Sequence, residues 1–282
     1  MFATVVPGHR IDYFAGIRQE KIKSCYRIGQ NHHKFIIRFS ENPFCTGISV
    51  ISDKRLIIFP YAGGNAYAFR DMARHMKNDF LVTALDLPGH GSRMRESLLT
   101  DVHAMADDLF EQVRPFLNSS RVIFWGHSLG SILAYFVACL AGKSNMPGPC
   151  RLFLSGRSAP FVNVHEKYLH LMPRQAFLSH LSSYGGIPDS VVRETELIDF
   201  FLPIIRADFQ ALSTFEEQDL ESIHVPLTIL MGTEDRPKID GPVRSWQELS
   251  TQEVSFKSFS GGHFFIFQHL AAIGWLISQS IR

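Results

Sequence analysis

From Arg55 onward the chain alternates between short apolar runs and segments of helical spacing, and this alternation narrows the folds open to it more than any other feature. "RLIIFP" (55–60) is an apolar run closed by Pro60 and then by Gly63 and Gly64, the pattern of a buried strand. "FRDMARHMKN" (69–78) has apolar residues at helical spacing, and "FLVTALDLPG" (80–89) reads as a second strand with a turn. "DVHAMADDLFEQVRPFL" (101–117) reads as a helix with Asp101 at its N-cap. "RVIFWG" (121–126) is a third strand, followed by a helix over about 129–141, and "RLFLSG" (151–156) is a fourth strand. The alternation then stops. "PRQAFLSHLSSYGG" and "VVRETELIDFFLPIIRADFQAL" read as helices, before strands return in "PLTILMG" (226–232) and "EVSFKSFSG" (253–261). A last helix covers about 265–280.

Strands that alternate with helices predict an α/β fold, with a mostly parallel central sheet and helices on both faces. The helical interruption, at about 158–223, predicts a lid insertion over the carboxyl ends of the strands, where open α/β sheets bind ligands. Residues 1–54 mix basic, aromatic and His residues without a sustained period. They read as an N-terminal extension with the first strand or strands, and residues 55–282 as the domain itself.

Composition removes several function classes. A length of 282 residues suits one large α/β domain with an insertion, and 45% hydrophobic with 20% charged residues suits a sizeable core. A net charge of +1, with no long Lys/Arg block, gives no reason to expect a nucleic-acid partner. Cys25, Cys45, Cys139 and Cys150 match neither a zinc pattern nor a disulfide framework, so reduced thiols are expected. His32 and His33 have no third ligand at a useful spacing, and no metal or cofactor is expected. "MFATVVPGHRIDYF" lacks a basic signal-peptide start, and the apolar stretches 122–142 and 264–281 are interrupted by polar residues. The expectation is a cytoplasmic monomer without a membrane span.

The chemistry-bearing residues lie at strand ends. "GHSLG" (126–130) joins the third strand to its helix, the context of a nucleophile elbow centred on Ser128. The glycines permit a sharp turn, and the helix directs its N-terminus at the hydroxyl. A serine hydroxyl needs a base near neutral pH, and the expected chain order is Ser, acid, His. "LTILMGTEDRP" places Glu234 and Asp235 just past a strand, and "FSGGHFFIF" places His263 after the last strand. Asp235 as a mere helix cap and His263 as an ordinary loop residue are the competing structural readings. An oxyanion hole also needs backbone donors. Leu129 follows the nucleophile, and the loop in "FPYAGGNAYAF" (59–69) follows an early strand. A phosphate cradle fits that loop less well, because no Lys-Ser/Thr follows its glycines. "GHG" at 89–91 lacks the third glycine of a dinucleotide fingerprint.

From about Ser40 to its end the chain resembles the type II thioesterases, the stand-alone editing enzymes of polyketide and nonribosomal peptide synthetases. The resemblance runs, in order, through "FPYAGGNAYAF", "LDLPGHGSRMRE", "GHSLGSILAYFVACLA", "LSGRSAP", "LSSYGGIPDS", "LIDFFLPIIRADFQAL", "LTILMGTEDRP" and "GGHFFIF". "SGRSAP" and "LPIIRAD" are more specific than the elbow. The resemblance implies an α/β-hydrolase fold with a helical lid, and hydrolysis of acyl groups from the phosphopantetheine thiol of carrier-protein domains. It implies Ser128 as nucleophile, Asp235 rather than Glu234 as acid, His263 as base, and the backbone of Ala62 and Leu129 as oxyanion donors. Tyr61 stands where that family usually has His, and Leu129 where it often has Met. Because both donors are main-chain groups, these departures bear on pocket polarity only.

Two further readings compete: a medium-chain thioesterase of fatty-acid synthesis with the same triad, and a carrier-protein binding module without turnover. In the lid, Phe161, Tyr168, Leu169, Phe177, Leu181, Phe200 and Phe201 are candidates for an acyl tunnel, or more simply helix-packing residues. Arg206 and Asp208 are a candidate ion pair at the lid base.

Overall fold

The computed structural model describes residues 12–13, 26–27, 37–38, 49–50, 54–118, 121–160, 168–185, 194–214, 220–235 and 244–281. His32, His33, Cys25, Cys45 and Phe161 lie outside the described residues. Ahead of the main sheet, Asp12–Tyr13 pairs antiparallel with Tyr26–Arg27, and Ile37–Arg38 with Ser49–Val50.

The sheet has six strands: β1 (Arg55–Phe59), β2 (Leu81–Ala84), β3 (Val122–His127), β4 (Arg151–Ser155), β5 (Leu227–Gly232) and β6 (Val254–Phe259). Their spatial order is β6-β5-β4-β3-β1-β2, and every neighbouring pair is parallel. The helices are α1 (Arg70–Met76), α2 (Val102–Val113), α3 (Leu129–Lys143), α4 (Arg174–Ser183), α5 (Thr195–Ala211) and α6 (Leu270–Gln279).

The continuous apolar runs follow from burial on both faces. Side chains alternate across a strand, so a strand covered on both sides needs apolar residues at every position. Ile57, Phe59, Val122 and Phe124 face a core shared with Val102, Met105 and Leu109 of α2 and Ile132, Leu133 and Phe136 of α3. Leu56, Ile58, Ile123 and Trp125 face the opposite core, shared with Met72 and Met76 of α1 and Ile273 and Ile277 of α6. Asp101 caps α2 as expected, its carboxylate accepting the Ala104 N–H at 2.9 Å. The last helix departs from the sequence reading: a short 3-10 turn at Phe265–Phe267 precedes α6, so the single helix expected from 265 starts at Leu270 instead.

The interruption between β4 and β5 holds α4 and α5, as expected for a lid. Phe177, Leu181 and Ile205 form a separate small core, with Leu169 and Phe201 packed against it. Tyr168 and Phe200 are exposed. Those lid aromatics that are buried therefore pack helix against helix.

Arg206 and Asp208 do not pair with each other. Arg206 donates through Nη1 to the His170 carbonyl and through Nη2 to the Met172 carbonyl at 2.8 Å, with its guanidinium over the Phe177 ring. Asp208 turns instead toward Gly63, in the loop after β1, and His90, in the turn after β2. Residues two apart on a helix lie on opposite faces, which explains the divergence.

Candidate active site

The strand order reverses direction at β1 and β3: the chain runs outward from β1 to β2, then returns to the other side of β1 as β3. A crevice at the carboxyl ends of strands forms at such a point. The loop at 60–65 leaves β1 there, and Ser128 leaves β3 beside it.

Ser128 has φ 55 and ψ −118, a conformation costly for a residue with a Cβ. Its neighbours make the turn possible by close backbone approach. A Cβ on Gly126 would lie 2.0 Å from the Gly130 carbonyl oxygen, and one on Gly130 would lie 2.3 Å from the Phe59 carbonyl oxygen. The elbow is tied down by the Ser128 N–H, which donates to the Ser155 carbonyl at 2.8 Å. Ser131 Oγ lies 3.0 Å from the carbonyl oxygens of both Gly126 and Ser155. Ser128 itself is half-buried between fully buried neighbours and opens the N-terminus of α3.

His263 follows β6 and Asp235 follows β5, the two strands that pair in register. The His263 Nδ1–H faces both Asp235 oxygens, at 3.0 Å from Oδ2 and 3.2 Å from Oδ1. Asp235 is 3% and His263 9% exposed. Glu234, the other acid of that turn, is exposed. With Nδ1 donating to a carboxylate, Nε2 of the neutral ring is left as the basic nitrogen.

His127, immediately before Ser128, links the elbow to His263: the two ring centroids are 5.0 Å apart. Its Nδ1 lies 3.0 Å from Ser155 Oγ, which also accepts the Trp125 Nε1–H. Burial, reinforced by the charge that His263 can carry, pushes the His127 imidazole well below its usual pKa. His127 therefore stays neutral beside His263. Gly156 leaves room for both rings. A Cβ there would lie 2.5 Å from His127 Cε1 and 3.3 Å from His263 Cε1.

Three amides of the loop after β1 meet protein acceptors. Gly64 N–H donates to the Tyr61 carbonyl at 2.7 Å, Gly63 N–H to Asp208 Oδ2 at 2.6 Å, and Ala66 N–H to Asp86 Oδ1 at 2.7 Å. Among the described residues, neither the Ala62 nor the Leu129 N–H meets a protein acceptor. Tyr61 closes the apolar side of the site, with its ring edge-on to Phe69, His127, Phe264 and Phe267, and burial raises its pKa. From the lid, Tyr184 at the end of α4 lies edge-on to His263, centroids 5.0 Å apart.

Sequence reasoning did not single out His127, Ser155, Gly156 or Tyr184 as site residues. "SGRSAP" and "LSSYGG" contain three of them, so the specific stretches carried the signal without its meaning. Among the described residues, no group of three His, Cys, Asp or Glu side chains is placed to hold a metal ion, and no helix is long and apolar enough to cross a membrane.

Residues 54–280 match the family described as "Thioesterase domain". The gramicidin S biosynthesis protein GrsT of Aneurinibacillus migulanus is 30% identical over 214 residues, spanning 76% of this chain and 83% of its own. The medium-chain S-acyl fatty acid synthase thioesterase of Homo sapiens is 29% identical over 220 residues, spanning 75% of this chain and 80% of its own. Among solved structures, the type II thioesterase BorB from the borrelidin biosynthetic cluster superposes with a TM-score of 0.72 at 27% identity, covering 81% of this chain and 93% of that one. A six-stranded parallel sheet with an elbow serine and a helical insertion, matched to this family over residues 54–280, makes the chain a member of the thioesterase family, with the α/β-hydrolase fold and the likeness of the type II thioesterases.

Proposed function

We propose that this thioesterase releases acyl groups from the phosphopantetheine thiol of carrier-protein domains, editing the intermediates of a polyketide or nonribosomal peptide synthetase. Ser128, His263 and Asp235 form its triad, and the amides of Ala62 and Leu129 its oxyanion hole. The observation that carries this reading is the buried His263–Asp235 hydrogen bond beside a strained elbow serine.

His263 Nε2 takes the proton from Ser128 Oγ as the oxygen attacks the thioester carbonyl. Asp235 holds the Nδ1–H tautomer and stabilises the imidazolium. The tetrahedral oxyanion is met by the Ala62 and Leu129 N–H groups, neither of which meets an acceptor among the described residues, and by the N-terminus of α3. Collapse breaks the C–S bond, and the His263 imidazolium gives its proton to the departing pantetheine sulfur, which leaves as thiol and returns His263 to the neutral form. A thiolate leaves more readily than an amine, so acid assistance matters less than in peptide cleavage. Water, deprotonated by His263, then attacks the Ser128 ester and releases the carboxylic acid.

Ser128→Ala is expected to abolish acyl release from a loaded carrier protein, a loss of about 10³-fold or more. Unchanged release by that variant defeats the assignment. The sequence of the human fatty-acid synthase thioesterase also matches the chain, and this favours a second reading with a medium-chain carrier substrate. Comparing acetyl with decanoyl carrier protein separates the two, since a marked preference for decanoyl supports the second. A fluorophosphonate probe tests the third reading, a binding module without turnover: failure to label Ser128 would support it.

A further inference from the structure

A second buried histidine–aspartate pair lies outside the proposed triad, where the lid meets the loop after β1. His90, in the turn after β2, is 3% exposed, and Asp208, on α5, is 0% exposed. His90 Nε2 lies 3.0 Å from Asp208 Oδ2, and Nδ1 lies 3.0 Å from the Pro88 carbonyl oxygen. Both oxygens are acceptors, whereas a neutral imidazole carries only one N–H. A neutral His90 would turn a lone pair on one of them, inside a core where that is costly. The two contacts are satisfied together when the ring is an imidazolium.

The same carboxylate oxygen also holds the proposed oxyanion loop. Asp208 Oδ2 accepts the Gly63 N–H at 2.6 Å, one residue beyond Ala62. Packing reinforces the bond. Gly63 adopts φ +73, and a Cβ there would lie 2.7 Å from Ile205 Cγ1 on α5. Asp208 Oδ1 has no partner among the described residues, so the carboxylate is held through Oδ2. One atom thus joins lid helix, oxyanion loop and the turn at 86–93.

We propose that His90, as an imidazolium, and Asp208 are positioning residues that clamp the lid helix onto the oxyanion loop and hold the Ala62 amide toward the nucleophile. The catalytic half of this statement rests on the oxyanion assignment above. Burial opposes the charge on His90. The hydrogen bond and charge of Asp208, the Pro88 carbonyl and the charge of Asp86 outweigh it, and the His90 pKa is raised. Asp208 faces the ring from α5 and Asp86 from the end of the β2 segment. Arg93, in the following turn, directs its guanidinium to Glu96 and Asp108. A raised value means that the clamp is complete below the ordinary histidine pKa and is lost as pH rises through the raised one.

Nitrogen-15 NMR of the intact protein tests the charge without any activity measurement, so it stands apart from the thioesterase reading. Both His90 ring nitrogens are expected to be protonated at about pH 6, below the ordinary histidine pKa. A single unprotonated nitrogen there overturns the proposal. Kinetics test the positioning. His90→Gln sets a non-titrating amide N–H near the Nε2 position and is expected to remove an alkaline decline in kcat that the natural protein shows. His90→Ala is expected to lower kcat about tenfold with KM nearly unchanged. Superimposable kcat–pH profiles for the natural protein and His90→Gln overturn the clamp.

Discussion

Adjacent acids in one turn serve different ends. Glu234 N–H donates to the Gly261 carbonyl at 3.0 Å while its side chain stays exposed, and Asp235 carries its carboxylate inward to His263. Removing the inward acid should cost far more than removing the outward one. Asp235→Asn is expected to lower kcat by about 10³- to 10⁴-fold through loss of the correct tautomer, and Glu234→Gln to leave it within about twofold. Steady-state rates of both variants check this, and equal losses would undo the assignment. Ser128, His263 and the two adjacent acids could be picked out as candidates from strand ends alone, because chain order and topology restrict where a triad can sit. The choice between Glu234 and Asp235 was not legible from the residues, since neighbours in a turn differ only in direction. His90 and Asp208 were hidden for another reason. They are 118 positions apart, and no local pattern announces a contact of that length.

Among the elements, α5 does the most varied work. It runs 17 residues through Pro203, and its two faces bind different parts of the molecule. Asp208 and Ile205 hold the loop after β1 at Gly63, while Arg206 gathers the carbonyls at His170 and Met172 and covers Phe177. The sequence pattern predicted the helix correctly, yet an Arg and an Asp two positions apart suggested a pair that helix geometry forbids. Arg206→Ala should free the segment that leads into α4 while leaving the sheet unaffected. The expected outcome is faster amide exchange over 169–183, with protection of β3 and β4 unchanged. Unchanged exchange in α4 would show that Arg206 does not hold the lid together. Since Tyr184 at the end of α4 lies against His263, KM should rise in the same variant.

At the scale of the whole molecule, the parallel sheet brings four loops to one end. Those after β1, β3, β5 and β6 carry Ala62, Ser128, Asp235 and His263, and the segment after β4 carries Gly156 between the two histidine rings. This much was legible because strands buried on both faces must be apolar throughout, and the short runs separated by helices left few other architectures. The break ahead of α6 was not legible. "FFIFQHL" is apolar enough to extend a helix, and the burial of Phe265 and Ile266 in the core beside Trp125 and Leu230 is a tertiary contact that no local pattern announces. The account as a whole rests on covalent catalysis at Ser128. Rapid quenching of a reaction with an acyl-pantetheine thioester, followed by peptide mass spectrometry, tests it directly. The expected result is the mass of the acyl group on the peptide that contains Ser128, absent from Ser128→Ala. Thioester hydrolysis with no acyl adduct at Ser128, and undiminished in Ser128→Ala, would contradict it.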